Sequence, residues 1–68
     1  MKISINGEER LIQSNKSISL KEAMKLLGYS SNTVVVELNN LIINSEEWES
    51  KNIKDGDKFE IVSIVGGG

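Results

Sequence analysis

The chain has 68 residues, 38% of them hydrophobic, with ten Asp and Glu against eight Lys and Arg for a formal charge of −2. Such a length holds one thin core, close to the limit for folding without metals or disulfides, and leaves no room for a deep active site. With no Cys and no His, thiol nucleophiles, disulfide staples, Cys or His metal sites and an imidazole general base are excluded, and the scattered Lys and Arg form no basic stripe for nucleic acid.

Met1 to Ile5 alternates apolar and polar residues at period two. Asn6-Gly7 follows, the strongest two-residue hairpin signal, before a second extended stretch through Arg10, Leu11 and Ile12. In SISLKEAMKLLGYSS, Ser19 and Glu22 have capping-box spacing, Leu20, Ala23, Met24 and Leu27 recur at i, i+3, i+4 and i+7, and Gly28 stands where a helix ends. One amphipathic helix of about two to three turns is predicted there. Thr33 to Leu38 is a β-branched run that predicts a central strand, which Asn39-Asn40 turns back into a short strand over Leu41 to Ile43. Ser45 is placed to cap a single helical turn over Glu46, Glu47 and Trp48, and Asp55-Gly56 makes a tight turn into a last strand from Lys58 to about Val65.

A hairpin, a crossover helix and a late strand that must lie beside the first describe a ubiquitin-like β-grasp in the α+β class, a mixed sheet of about four to five strands covered on one face by one helix. Residues 1–65 are expected to form a single domain, with 66–68 as a flexible glycine tail. Ile3, Ile5, Leu20, Met24, Leu27, Val35, Phe59 and Ile61 are the predicted core. Along the last strand Phe59, Ile61 and Ser63 share one face, and Glu60, Val62 and Ile64 the other. With the helix over Phe59 and Ile61, the residues Glu60, Val62 and Ile64 lie on an open sheet face as a candidate partner-docking patch; the alternative is that Val62 is merely β-forming or is covered by a loop. Asp55 and Asp57 read as turn residues rather than metal ligands, since no third ligand sits at regular spacing, and no metal site is expected. Trp48 is expected to anchor a satellite of the core over the lower sheet edge, and Glu46, Glu47 and Glu49 to form a solvated face.

Gly66, Gly67 and Gly68 make a segment slim enough to thread a narrow channel, with φ values open that other residues lack. By composition alone they fit a frayed end; directly after the DGD turn and the EIV strand they read as a working terminus. The stretch VVVELNNLIINSEEWESKNIKDGDKFEIVSIVGGG, with its VELN strand, its Trp48, its DGD turn and its VGGG end, resembles the second half of the ThiS sulfur-carrier family, and residues 1–32 agree in pattern.

The resemblance implies a sulfur carrier for the thiazole of thiamin. The Gly68 carboxylate would be adenylated with ATP by a ThiF-like, E1-type adenylyltransferase and converted to a thiocarboxylate, with Gly66 and Gly67 in the partner's channel. A sulfur donor enzyme would supply the sulfur and a ThiG-like thiazole synthase would receive it. The chain itself would hold no catalytic residue and no cofactor, and would not be an enzyme. One alternative is a MoaD-like subunit of molybdopterin synthase, which shares the fold and the Gly-Gly end; the short length, VELN and the extra glycine lean away from it. Another is a ubiquitin-like modifier or protein-binding module, with Gly68 ligated to a lysine. No stretch reaches the length of a membrane span, and the start MKISING carries neither an apolar signal segment nor a cleavage pattern, so no membrane contact and a cytoplasmic location are expected.

Overall fold

In the computed structural model, which describes residues 1–13 and 17–64, Asn6 and Gly7 turn the chain back at φ +50° and +84°. Two positive φ values are what a two-residue type I′ turn needs, and they set strand β1 (Lys2–Ile5) against β2 (Glu8–Leu11), with Ile3 opposite Arg10 and Ile5 opposite Glu8. The device recurs at Asn39-Asn40, φ +50° and +73°. Helix α1 (Leu20–Leu27) lies between the two hairpins in the chain, and the second hairpin joins β4 (Val34–Leu38) to β5 (Leu41–Ile43). Asn serves at these points because its short polar side chain tolerates the left-handed region.

The last strand, β7 (Lys58–Ser63), enters between the hairpins, parallel to β1 and antiparallel to β4, and completes a five-stranded mixed sheet in the order β2-β1-β7-β4-β5. One helix covers one face, so the predicted ubiquitin-like β-grasp is the fold observed. Ser19 Oγ accepts from the Glu22 amide at 3.0 Å. The Leu20 and Lys21 amides donate to the carbonyls of Lys51 and Trp48 at 2.7 and 3.0 Å, so side chain and tertiary backbone share the donors left open at the helix start. At the other end Gly28, at φ +88°, donates to Lys25, and Tyr29 donates to Met24, the paired bonds of a Schellman closure.

Ile3, Ile5, Leu20, Met24, Phe59 and Ile61 are buried as predicted, and Leu27 packs partly buried against them. Val35 is a correction. Val36 sits opposite Ile61 and Leu38 opposite Phe59, so with Phe59 and Ile61 under the helix the residues Val34, Val36 and Leu38 turn inward and Val35 falls on the open face. Three consecutive valines show no alternation; Glu37, which avoids the core, carries the parity that decides it.

Other elements also depart from the prediction. Ile18–Ser19 (β3) and Asn52–Ile53 (β6) pair as a separate two-stranded sheet with Ile18 opposite Ile53, strands too short to display a period. Ser45 is no cap: Asn44 holds that position without a side-chain bond, and the turn is a 3₁₀ turn over Ser45–Glu47 that ends at Trp48. Trp48 belongs to the main core cluster rather than a satellite, 4% exposed, with its indole Nε1 donating to the Ile43 carbonyl at 3.2 Å. Strand β2 stops at Leu11, yet Ile12 is buried and exchanges backbone bonds with Met1. Strand β7 stops at Ser63, although the Ile64 amide still donates to the Thr33 carbonyl at 2.9 Å. Val65, which was expected to continue it, and the predicted tail Gly66, Gly67 and Gly68 lie outside the described residues.

Backbone pairing between β1 and β7 spans only Ser4–Lys58 and Ile5–Phe59, because the chain turns away at Asn6. The Asn6 side chain continues the ladder: Oδ1 accepts from the Ile61 amide at 2.7 Å and Nδ2 donates to the Ile61 carbonyl at 3.1 Å, as a peptide unit of β1 would. On the other flank Asn39 donates its amide to the Lys58 carbonyl at 2.8 Å and accepts the Lys58 amide on Oδ1 at 3.0 Å. Asn6→Gly keeps the positive φ but loses both side-chain bonds and is expected to cost about 1–3 kcal/mol, with Asn6→Ala about 1–2 kcal/mol worse for its left-handed backbone. Urea denaturation of both variants measures this, and an Asn6→Gly variant as stable as the parent would show that the amide does not hold β7.

Candidate functional site

The turn that launches β7 is built on carboxylates. Asp57, 5% exposed, accepts the Lys54 amide at 2.8 Å and Asn39 Nδ2 at 3.1 Å, the donors that a buried carboxylate requires. Asp55 Oδ1 accepts the Lys2 amide at 2.6 Å, and the Gly56 amide donates to the Lys2 carbonyl at 2.8 Å. Asp57 does the turn chemistry read from the sequence on the Lys54 amide, whereas the Asp55 carboxylate reaches across to Lys2 instead of its own turn; together they tie the start of β7 to β1 and to the β4–β5 turn. Among the described residues no three potential metal ligands gather in one place.

Beyond this turn the strand alternates as far as Val62, and Ser63 at its end is exposed. Phe59 and Ile61 are buried, while Glu60, Val62 and Ile64 are exposed, Val62 by 60% and Ile64 by 55%. No loop covers Val62 among the described residues, and the three predicted docking residues lie on the open face of the sheet. The structure adds neighbours that the strand alone does not reveal. Val35 stands opposite Val62, Glu37 opposite Glu60, and Ile42 opposite Glu37. Ile42 is 64% exposed. At the corner where the described chain ends, a depression of about 170 Å³ is lined by Val35, Ile42 and Ile64, with Asn44 and Trp48 also in its wall. Val35 was legible through the parity of Glu37; Ile42 needed the register of β5. Glu46, Glu47 and Glu49 are exposed, as expected of a solvated face.

An apolar strip of this kind on an uncovered sheet is surface suited to contact with another protein. Among the described residues no helix is long and apolar enough to cross a membrane.

Fold and surface together define a small ubiquitin-like β-grasp protein whose last strand runs from an open apolar face toward a glycine end. The profile of the ThiS family matches residues 3–68, and the chain belongs to that family. It is 41% identical over 64 residues to the uncharacterized protein ycf40 of Trieres chinensis, covering 94% of this chain and 85% of that one. It is 40% identical over 68 residues to a thiazole synthase of Paramagnetospirillum magneticum, covering 100% of this chain and 20% of that protein. The crystal structure of the thiamine biosynthesis protein ThiS from Geobacter metallireducens superposes with a TM-score of 0.84 at 29% identity, over 100% of both chains. Family membership supports a sulfur-carrier role.

The two faces of β7 make a direct test of this surface. Val62→Lys is expected to change stability by no more than about 1 kcal/mol, because the side chain stays in water beside Glu37 and Glu60, whereas Ile61→Lys buries a charge under the helix and is expected to unfold the domain. Thermal melts followed by circular dichroism compare the two, and an equal loss in both would refute the assignment of faces.

Proposed function

We propose that this protein carries sulfur on its carboxyl end for assembly of the thiazole ring of thiamin. The observation that carries this reading is the ThiS family match through residue 68, on a chain that runs from β7 into VGGG. The match to a protein named thiazole synthase, of which it covers 20%, supports a ThiG-like thiazole synthase as the recipient of the sulfur. Residues 1–65 act as the folded carrier, and Gly66, Gly67 and Gly68 as the working tail. A cytoplasmic location goes with the need for ATP.

A carboxylate resists nucleophiles because its negative charge is delocalised, so it must first gain a leaving group. In the proposed sequence a Gly68 carboxylate oxygen attacks the α-phosphorus of ATP held by a ThiF-like adenylyltransferase, and pyrophosphate leaves. A sulfur nucleophile from the donor enzyme then adds to the acyl carbon and AMP departs with the electrons of the broken C–O bond. With hydrosulfide as the simplest such nucleophile, one proton is released and the thiocarboxylate remains. The chain supplies no acid or base to these steps, and its part is reach and shape. Four residues beyond Ile64 extend at most ~13–14 Å, and three of them are glycines, slim enough for a channel. Glu60, Val62 and Ile64 on the open face dock the partner, which thereby stands within reach of Gly68.

ATP–pyrophosphate exchange with the cognate ThiF-like enzyme tests the reading. Deleting Gly68 withdraws the carboxylate by ~3.3–3.6 Å, beyond the tolerance of an aligned displacement, and is expected to abolish exchange. Gly67→Val is expected to do nearly the same by width and restricted φ, and neither variant is expected to move the melting temperature. Intact mass after incubation with ATP, the enzyme and a sulfur source is expected to show one oxygen replaced by sulfur. Full exchange by the Gly68 deletion would overturn the carrier reading, and a ligated product on a gel would favour a modifier instead.

A further inference from the structure

We propose that Glu37 and Glu60 together receive one cationic side chain, preferentially an arginine, from the enzyme that adenylates Gly68, and that this contact stands at the centre of the docking face. The inference rests on the carrier reading above. It starts from the register of the sheet: Glu37 lies directly opposite Glu60 on the adjacent antiparallel strands β4 and β7. Residues so placed share a face with Cβ atoms roughly 4.5–5.5 Å apart, and like charges in that relation destabilise a sheet. Among the described residues no ion pair relieves the repulsion. The ion pairs among the described residues are Lys2–Glu9 and Lys21–Glu49, and Lys58, two positions before Glu60 on the same face, makes none with it.

The surroundings indicate what would. Ile42 flanks Glu37 on the far side, and Val35 and Val62 form the next row, ahead of Ile64. A partner that covers these apolar side chains also removes water from the two carboxylates. Desolvating two anions with no counter-charge is costly, so a surface that buries Val35 and Val62 favourably must bring a cation to the pair. A guanidinium suits it, since its five donors in a planar fork can bond two carboxylates at once, which an ammonium does less well.

Reach and charge together name the partner. An enzyme that acts on the Gly68 carboxylate, four residues beyond Ile64, comes within ~13–14 Å of Ile64, which borders this face. Of the enzymes that act there, the adenylating one already gathers positive charge, because it must hold the phosphates of ATP beside the Gly68 carboxylate.

The experiment separates this contact from ordinary stability. Glu37→Gln, Glu60→Gln and, as a control for net charge on the solvated face, Glu46→Gln are melted and titrated calorimetrically into the ThiF-like enzyme at low and at physiological ionic strength, with pyrophosphate exchange run on the parent. Glu37→Gln and Glu60→Gln are expected to melt at or above the parent, to bind about tenfold more weakly, and to lose much of the salt dependence of binding, while Glu46→Gln binds like the parent. If the parent binds and supports exchange but the two Gln variants bind no worse than Glu46→Gln, the inference fails and the carrier reading stands. A melt well below the parent would make the pair structural and also overturn the inference. If the parent neither binds nor supports exchange, the carrier reading fails and takes this inference with it.

Discussion

The capture of β7 between two hairpins is the constraint on which the rest of this structure depends. A 68-residue chain has little apolar area with which to offset the entropy of folding, and its central strand is also the last among the described residues. Strand β7 reaches β1 over two residue pairs only, and the Asn6 amide supplies the next rung. On the other side Asn39 holds Lys58, and Asp57 ties Asn39 to the turn at Lys54. Both hairpin turns thus serve twice. Asn satisfies the positive φ of the turn, and the same side chain pins the strand that arrives last.

Because β7 is held at fixed register, its alternation is enforced across the whole sheet. Phe59 and Ile61 must face the helix, so Val36 and Leu38 follow them inward and Val35 follows Val62 outward. The open face is therefore as strictly specified as the core, although nothing among the described residues covers it. It combines two features that cost stability in isolation, exposed aliphatic side chains and a cross-strand pair of like charges. Their coincidence on one face, beside the exit of the chain at Ile64, is the physical ground for reading it as a contact surface.

The site also explains how a chain without Cys or His can belong to a sulfur pathway. Nothing in a carrier needs to be nucleophilic or acidic when activation, sulfur delivery and transfer are done by partners. On the proposed function, the requirements left to it are a rigid platform, a face for its partners and a terminus within their reach. The bracketed β7 supplies the first, and the proposal assigns the second to the open face and the third to Gly66, Gly67 and Gly68.

Much of this was legible residue by residue. Asn6-Gly7 and Asn39-Asn40 are local turn signals that act through two dihedral angles, Ser19 and Gly28 bound the helix through bonds to near neighbours, and the period of two in β7 separates Phe59 and Ile61 from Glu60 and Val62. These depend on residues close in the chain, and the sequence by itself determined them, together with the family likeness of its second half. What depended on strands distant in the chain was decided only on folding. Ser19 and Ile53 form two-residue strands only because Asn52 and Ile18 meet them, and Trp48 joins the core because the Lys21 amide and the Ile43 carbonyl bind its turn. The alignment of Glu37 with Glu60, and of Ile42 beside them, is likewise a matter of register, which tertiary packing sets because a slip of one residue would turn every core side chain of the strand outward.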